Sequence, residues 1–407
     1  MIQDSRKFYG TVGLFIIFLL VFIYKDFFSE AIYQDEHHYF PTIVQFSKEP
    51  IPSIDLLKNY DELNTPVPFI IGGWVVRIFG ESIFTLRMFT FVTSFLLLML
   101  FVWSAPEQPK RLYRCLIGLF LLPSYYLCSI YYFTDIYAMI FVLAGLIAYR
   151  GGKHLLSTIC MMLAISSRQY MLAFPMAILA YEFLKNGFPQ PFFSAILKQV
   201  RQQTAWRYYL VAVLSLLPWI LLWGGMAPAQ VMESQYYEAD KLTHYNYGYV
   251  LYVMGILAFY YVIPETIFFG TWKYYLQYPR NEPVRFGIFV MIVAVLVLFF
   301  PMRQASNPYF TWPYLGYVDQ LFESVLRISG HPKKVIFGLM MLVTCIRFFS
   351  GRLSLVSYIV LFNVLLLGKA QLSWDKYSLP MMMALWYLAM FDSEWLFVRK
   401  ETSVQTS

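Results

Sequence analysis

Charge is scarce in this chain: only 14% of its 407 residues are Asp, Glu, Lys or Arg, where a soluble domain carries about a quarter. That shortage excludes an ordinary soluble domain. Cysteine is scarcer still. Cys115, Cys128, Cys160 and Cys345 all lie within apolar runs, with no CxxC spacing among them. They read as small buried hydrophobes rather than a disulfide frame or a metal site. No basic run of five or more residues accompanies the net charge of +7, so nucleic acid is not indicated as a partner. A Gly-rich phosphate loop on a Rossmann unit is missing, and with it any sign of a nucleotide site. No Asn-x-Ser/Thr sequon occurs either, a hint of a prokaryotic membrane.

Apolar and aromatic residues fill the space. They make up 59% and 20% of the chain, with 33 Tyr and 10 Trp, as suits rings at membrane interfaces. Lipid offers no partner to exposed backbone, so each long apolar run predicts a helix of roughly 20 residues. Runs lie near 8–28, 83–103, 112–131, 136–149, 154–165, 171–184, 208–223, 249–269, 286–300, 335–348, 353–367 and 379–391. The first is too long for a signal-peptide core and lacks a small-residue cleavage site, which predicts an anchor. These runs predict an all-α polytopic membrane protein of about twelve crossings, a single transmembrane domain over residues 1–407.

Charge offers an independent check on that count. With Arg6 and Lys7 inside, alternate loops are basic, through Lys110, Arg111, Arg150, Lys153, Lys185, Arg207, Lys273, Arg285, Arg347, Arg352, Arg399 and Lys400. Most acids fall in the opposite loops. The first of these, residues 29–81, carries a short apolar stretch at 69–79 that predicts a helix lying along the interface. Thr65-Pro66-Val67-Pro68 sets its start.

Five polar clusters fall on that non-cytoplasmic side. Tyr33-Gln34-Asp35-Glu36-His37-His38-Tyr39 follows the first run. It offers paired carboxylates suited to proton transfer, or a solvated juxtamembrane turn. Arg168-Gln169 stands between two apolar runs, where an arginine is costly and tends to have a partner. Its forked donors suit phosphate oxygens, although a snorkelling interfacial arginine reads the same way. Asp240, Lys241 and His244 form a third group, with Asp240 and His244 at i and i+4; they read as a sugar-hydroxyl site or a surface pair. Trp374-Asp375-Lys376-Tyr377 can close a pocket with an aromatic wall and two charges, and Asp135 is an additional acid or a helix N-cap. A pump or channel would instead bury ionisable groups at mid-helix. Acids, one phosphate-suited arginine and aromatics at one interface fit a lipid-phosphate substrate meeting a hydrophilic acceptor.

The order of these motifs resembles that of the membrane glycosyltransferases of the GT-C fold. Asp35-Glu36 with His38 is similar to their opening Asp-Glu motif, and Leu63-Asn64-Thr65-Pro66-Val67-Pro68 to the Thr-Pro-Pro segment that follows. Within that superfamily the likeness is greatest to the dolichyl-phosphate-glucose-dependent α-1,2-glucosyltransferase family, which adds the terminal glucose to lipid-linked oligosaccharide. Arg168-Gln169 looks like its Arg-Gln motif, and Asp240-Lys241 with His244 like its Asp-Lys/Arg…His motif. Tyr170-Met171 stands where that family usually has Thr-Asn, and Trp374-Asp375-Lys376-Tyr377 replaces an Asn-Arg-His-Tyr run. The resemblance implies inverting transfer of a hexose from a polyprenyl-phosphate donor to a glycan or lipid-linked acceptor. It places the reaction at the lumenal face of the endoplasmic reticulum or the periplasmic face of a bacterial inner membrane. It implies Asp35 as base with Glu36 or His38 positioning the acceptor. Arg168, with Lys376 as a helper, would meet the phosphate, Asp240 and His244 would bind sugar hydroxyls or order the loop, and Gln169, Lys241, Asp375 and Tyr377 would complete the substrate-binding set. Neither cofactor nor metal is expected. A transporter or flippase for lipid-linked sugars and a non-catalytic scaffold are the competing readings from other classes.

Overall fold

A computed structural model describes residues 2–185, 204–233, 245–302, 316–370 and 374–391. All regular structure among them is helical. Several expected runs reappear with bounds close to those read from the sequence: Ile2–Tyr24, Ile83–Trp103, Thr134–Arg150, His154–Ile165, Ala173–Leu184, Leu355–Leu367 and Leu379–Ala389. Local chemistry sets several starts. Ser82 Oγ accepts from Phe84 N (3.2 Å), and Ser354 and Ser357 form a reciprocal capping box.

Among the described residues, four helices are long and apolar enough to cross a membrane, or up to six when each bent pair counts as one span. That is fewer than the run count predicts. The difference has two physical sources. A 12-residue helix such as His154–Ile165 is only about 18 Å long, against a hydrocarbon core of about 30 Å. The run at 112–131 is broken into Pro109–Phe120 and Pro123–Ile130, which meet at 73°. Pro123 has no amide hydrogen to continue the first helix, so it opens the second.

Exposure separates rim from centre. The most apolar window of the first helix is 11% buried, whereas that of the continuous helix Tyr247–Phe269 is 72% buried. A π-turn at Ala258–Val262 interrupts the latter and turns two hydroxyls onto buried acids: Tyr260 donates to Asp375 and Tyr261 to Glu265, each at 3.0 Å.

The loop after the first helix is largely helical. Glu36–Lys48, which the sequence reading leaves as loop, packs on Val67–Phe79, the helix expected at 69–79. Gly72 and Gly73 allow this approach. A Cβ on Gly73 would stand 2.9 Å from the backbone carbon of Phe46, and one on Gly72 would stand 2.9 Å from the Tyr132 hydroxyl. Thr65 Oγ1 donates to Ile165 O (2.7 Å) and Val67 N to Ser166 O (3.0 Å). The pair of loop helices is thereby fastened to the end of the bundle where Ile165 and Arg168 lie.

Candidate functional site

The site begins with a strained turn. Asp26, Phe27, Phe28 and Gln34 all have positive φ, between 43° and 62°, which costs non-glycine residues on the order of 1–3 kcal/mol each. Arg87 holds that turn. Its Nε donates to Glu36 Oε1 (2.9 Å) and Nη2 to Glu36 Oε2 (2.5 Å). Its Nη1 donates to the carbonyls of Phe28 (3.1 Å) and Glu30 (2.7 Å), and Nη2 also to that of Ala31 (2.8 Å). Every N–H of the guanidinium is used. The carboxylate of Glu36 also accepts from the amides of Tyr33 and Tyr132, both at 2.9 Å. Neither side chain is exposed at all.

Glu36 therefore anchors the turn, with both of its oxygens engaged. Asp35 sits at the N-cap of Glu36–Lys48 but makes no side-chain cap bond. Its Oδ2 instead meets Lys376 Nζ at 2.5 Å, with the lysine side chain 2% exposed and that of Asp35 32% exposed. The ammonium is enclosed by the rings of Phe133 (4.3 Å to the centroid) and Trp374 (4.4 Å). Tyr39 OH adds a long contact to the same oxygen (3.4 Å) and receives Asn64 Nδ2 at 3.0 Å. The Oδ1 oxygen carries no hydrogen bond among the described residues. Burial works to raise the Asp35 pKa, but the Lys376 charge, helped by Arg168 and His38, outweighs it and holds the carboxyl below its ordinary value. The carboxylate is ionised, with one oxygen open.

Arg168 stands close by, buried to 4% exposure. Its Nη1 donates to Asp135 Oδ2 (2.6 Å) and Thr134 Oγ1 (2.8 Å), at the start of Thr134–Arg150. Tyr170 OH holds the other Asp135 oxygen at 2.8 Å. The rings of Tyr170 and Tyr377 lie 5.0 and 5.5 Å from the guanidinium carbon. Nε is buried without a partner, and Nη2 makes no hydrogen bond among the described residues. One edge of a rigidly held fork is thus unspent.

The remaining calls divide. Gln169 braces the loop, donating through Nε2 to the carbonyls of Leu63 and Met226. His38 is exposed on the first turn beyond Asp35. Asp375 takes no part in the Asp35–Lys376 pair. It is buried and accepts from Tyr252 OH, Tyr260 OH (3.0 Å) and Val318 N (3.1 Å), so both of its oxygens are engaged within the protein. Gly316 makes room for it, since a Cβ there would come within 2.0 Å of Asp375 Oδ1. Asp240, Lys241 and His244 lie outside the described residues. No three His, Cys, Asp or Glu among the described residues are placed to hold a metal ion.

Sequence reasoning missed Arg87. A lone arginine four residues into an apolar run was the available signal, because such a charge requires a partner. Comparison with protein-family models, with curated proteins and with solved structures gives no match.

Proposed function

We infer that this chain is an inverting glycosyltransferase of the GT-C type, with about twelve membrane crossings and its site on the non-cytoplasmic face. Its donor is a polyprenyl-phosphate hexose, and its acceptor a hydroxyl of a glycan or lipid-linked glycan. The observation that carries this reading is the pairing of Asp35 with Lys376 across most of the chain's length, beside an arginine with an unspent donor edge.

In one displacement, the acceptor hydroxyl attacks the anomeric carbon as the bond from that carbon to the phosphate oxygen breaks. Asp35 Oδ1 takes the hydroxyl proton, and the polyprenyl phosphate leaves with the electron pair. A single attack from the opposite face inverts the anomeric centre. Arg168 offers its free Nε and Nη2 to the developing phosphate charge, and forked donors suit such oxygens. Lys376 is shared. While paired with Asp35 it weakens the base; an arriving phosphate draws the ammonium toward itself and strengthens that base at the moment it is needed. Asp135 keeps Arg168 in register.

Purified protein in nanodiscs, given a panel of polyprenyl-phosphate sugars and a soluble glycan acceptor, tests this reading through release of polyprenyl phosphate. Consumption of one donor with inversion in the product is the expected result. Retention of anomeric configuration would overturn the single-displacement mechanism, and refusal of every donor would overturn the reading itself.

A further inference from the structure

Glu62 is the one acid of the first long loop that is both buried and unbonded. It is 5% exposed, while its neighbour Asp61 is on the surface. Its Oε1 is buried without a hydrogen-bond partner, and neither oxygen makes a hydrogen bond or ion pair among the described residues. The other buried carboxylates discussed above, those of Glu36, Asp135, Glu265 and Asp375, are engaged by donors on both oxygens. Folding gains nothing from burying such a group, since a polar atom removed from water without a partner is a net cost.

Its location suggests what offsets that cost. Glu62 lies on the loop between Tyr60 and Asn64, which are joined by a Tyr60 OH to Asn64 O bond of 2.7 Å. Asn64 continues through Tyr39 to Asp35. On the other flank, Leu63 O is held by Gln169, next to Arg168. Burial raises the Glu62 pKa well above the ordinary carboxyl value; the charges of Asp35 and Asp61 add to the rise, and that of Arg168 opposes it. In a displacement the atoms run from base to acceptor oxygen, anomeric carbon, phosphate and cation. The loop that carries Glu62 is tied on one flank, through Asn64 and Tyr39, to the base and on the other, through Leu63 and Gln169, to the residue beside the cation, which puts it near the part of the substrate between them.

We propose that Glu62 is a substrate-binding residue whose carboxyl hydrogen-bonds a ring hydroxyl of the hexose being transferred. The inference rests on the glycosyl-transfer reading above. A carboxyl accepts through its oxygens and, when protonated, has one O–H to donate, which matches the donor-and-acceptor character of a hydroxyl. It selects the sugar and takes no part in proton transfer.

The test compares wild type, E62Q and E62M in nanodiscs, using the polyprenyl-phosphate hexose that wild type consumes and its singly deoxygenated analogues. Loss of one hydrogen bond predicts a drop of about tenfold in kcat/KM for E62M, carried mainly by donor KM, with E62Q retaining more activity than E62M. One deoxy donor is penalised by a similar factor in wild type and shows no further penalty in E62M. The thermal midpoint of E62M rises above that of wild type, because an unbonded buried carboxyl has been replaced by an apolar chain. Equal penalties for every deoxy donor in wild type and E62M would overturn the assignment of Glu62 while leaving glycosyl transfer intact. A fall in the E62M midpoint would also overturn it, by revealing a bonded structural role. If wild type consumes no donor at all, the transfer reading itself fails and this inference fails with it.

Discussion

Arg87 and Glu36 form a two-pronged ion pair, at 2.9 and 2.5 Å, that is sealed from solvent on both sides. The pair joins the Ile83–Trp103 helix to the turn that carries Asp35, one residue before the glutamate. Removing two charges from water is expensive, and only the full set of bonds at each end makes the arrangement tolerable.

Breaking one side alone is therefore costly. Arg87→Ala should destabilise the protein by about 3–5 kcal/mol, since it strands a buried carboxylate. Arg87→Met combined with Glu36→Met should recover much of that loss, and thermal unfolding in detergent reads both. A stable R87A single variant would show that the pair does not hold the turn.

Lys376 sets the charge state of Asp35. Burial raises the Asp35 pKa and the Lys376 ammonium lowers it to a net value below the ordinary one. A depressed carboxyl contributes stability above its unfolded pKa and loses it as pH falls through the folded pKa. In wild type that loss comes only on the acid side of the usual carboxylate range. Lys376→Met removes the main lowering influence and leaves burial, so the acid limb of kcat/KM should move to higher pH. A pH–rate profile that keeps its acid limb in K376M would refute the coupling.

Asp135 and Arg168 pair as holder and held. Arg168→Ala should lower kcat by about 100- to 1,000-fold, the usual effect of losing a charge-stabilising donor. Asp135→Asn leaves the arginine in place but loosens it, which predicts a smaller loss of kcat. Single-turnover rates with a saturating donor separate the two variants. Equal losses would place both residues in one structural unit.

Close packing of the two loop helices depends on Gly73. A methyl group there meets backbone, which cannot rotate away, so Gly73→Ala should destabilise by about 1–3 kcal/mol through overpacking. Thermal unfolding tests this, and an unchanged midpoint would mean the helices separate freely.

The helices were legible in the sequence where apolar runs were long and unbroken. Residues 83–103 read as one helix and form one, from Ile83 to Trp103. The Glu36–Lys48 helix was not legible, because it is polar, carries Pro41 and gains its stability from Val67–Phe79 rather than from its own pattern. Arg168 was legible as a charge that the membrane boundary makes costly, Asp35 as one of a carboxylate pair and Lys376 as one of two charges in a pocket-closing motif. Their pairing was not: nothing in the sequence distinguishes Lys376, which meets Asp35, from Asp375, which faces Tyr252 and Tyr260. Arg87 went unread within the apolar run around it, and its partner Glu36, read as positioning the acceptor, has both oxygens engaged by Arg87 and by the amides of Tyr33 and Tyr132.

The account's central claim is that Asp35 activates an acceptor hydroxyl against a polyprenyl-phosphate sugar. Its most direct test is sugar transfer by folded wild type beside folded Asp35→Asn, at saturating donor and acceptor. The account predicts turnover by wild type and a loss of about 100-fold or more in kcat for the variant, as removal of a general base requires, with donor affinity preserved. Turnover in D35N equal to that of wild type would contradict it.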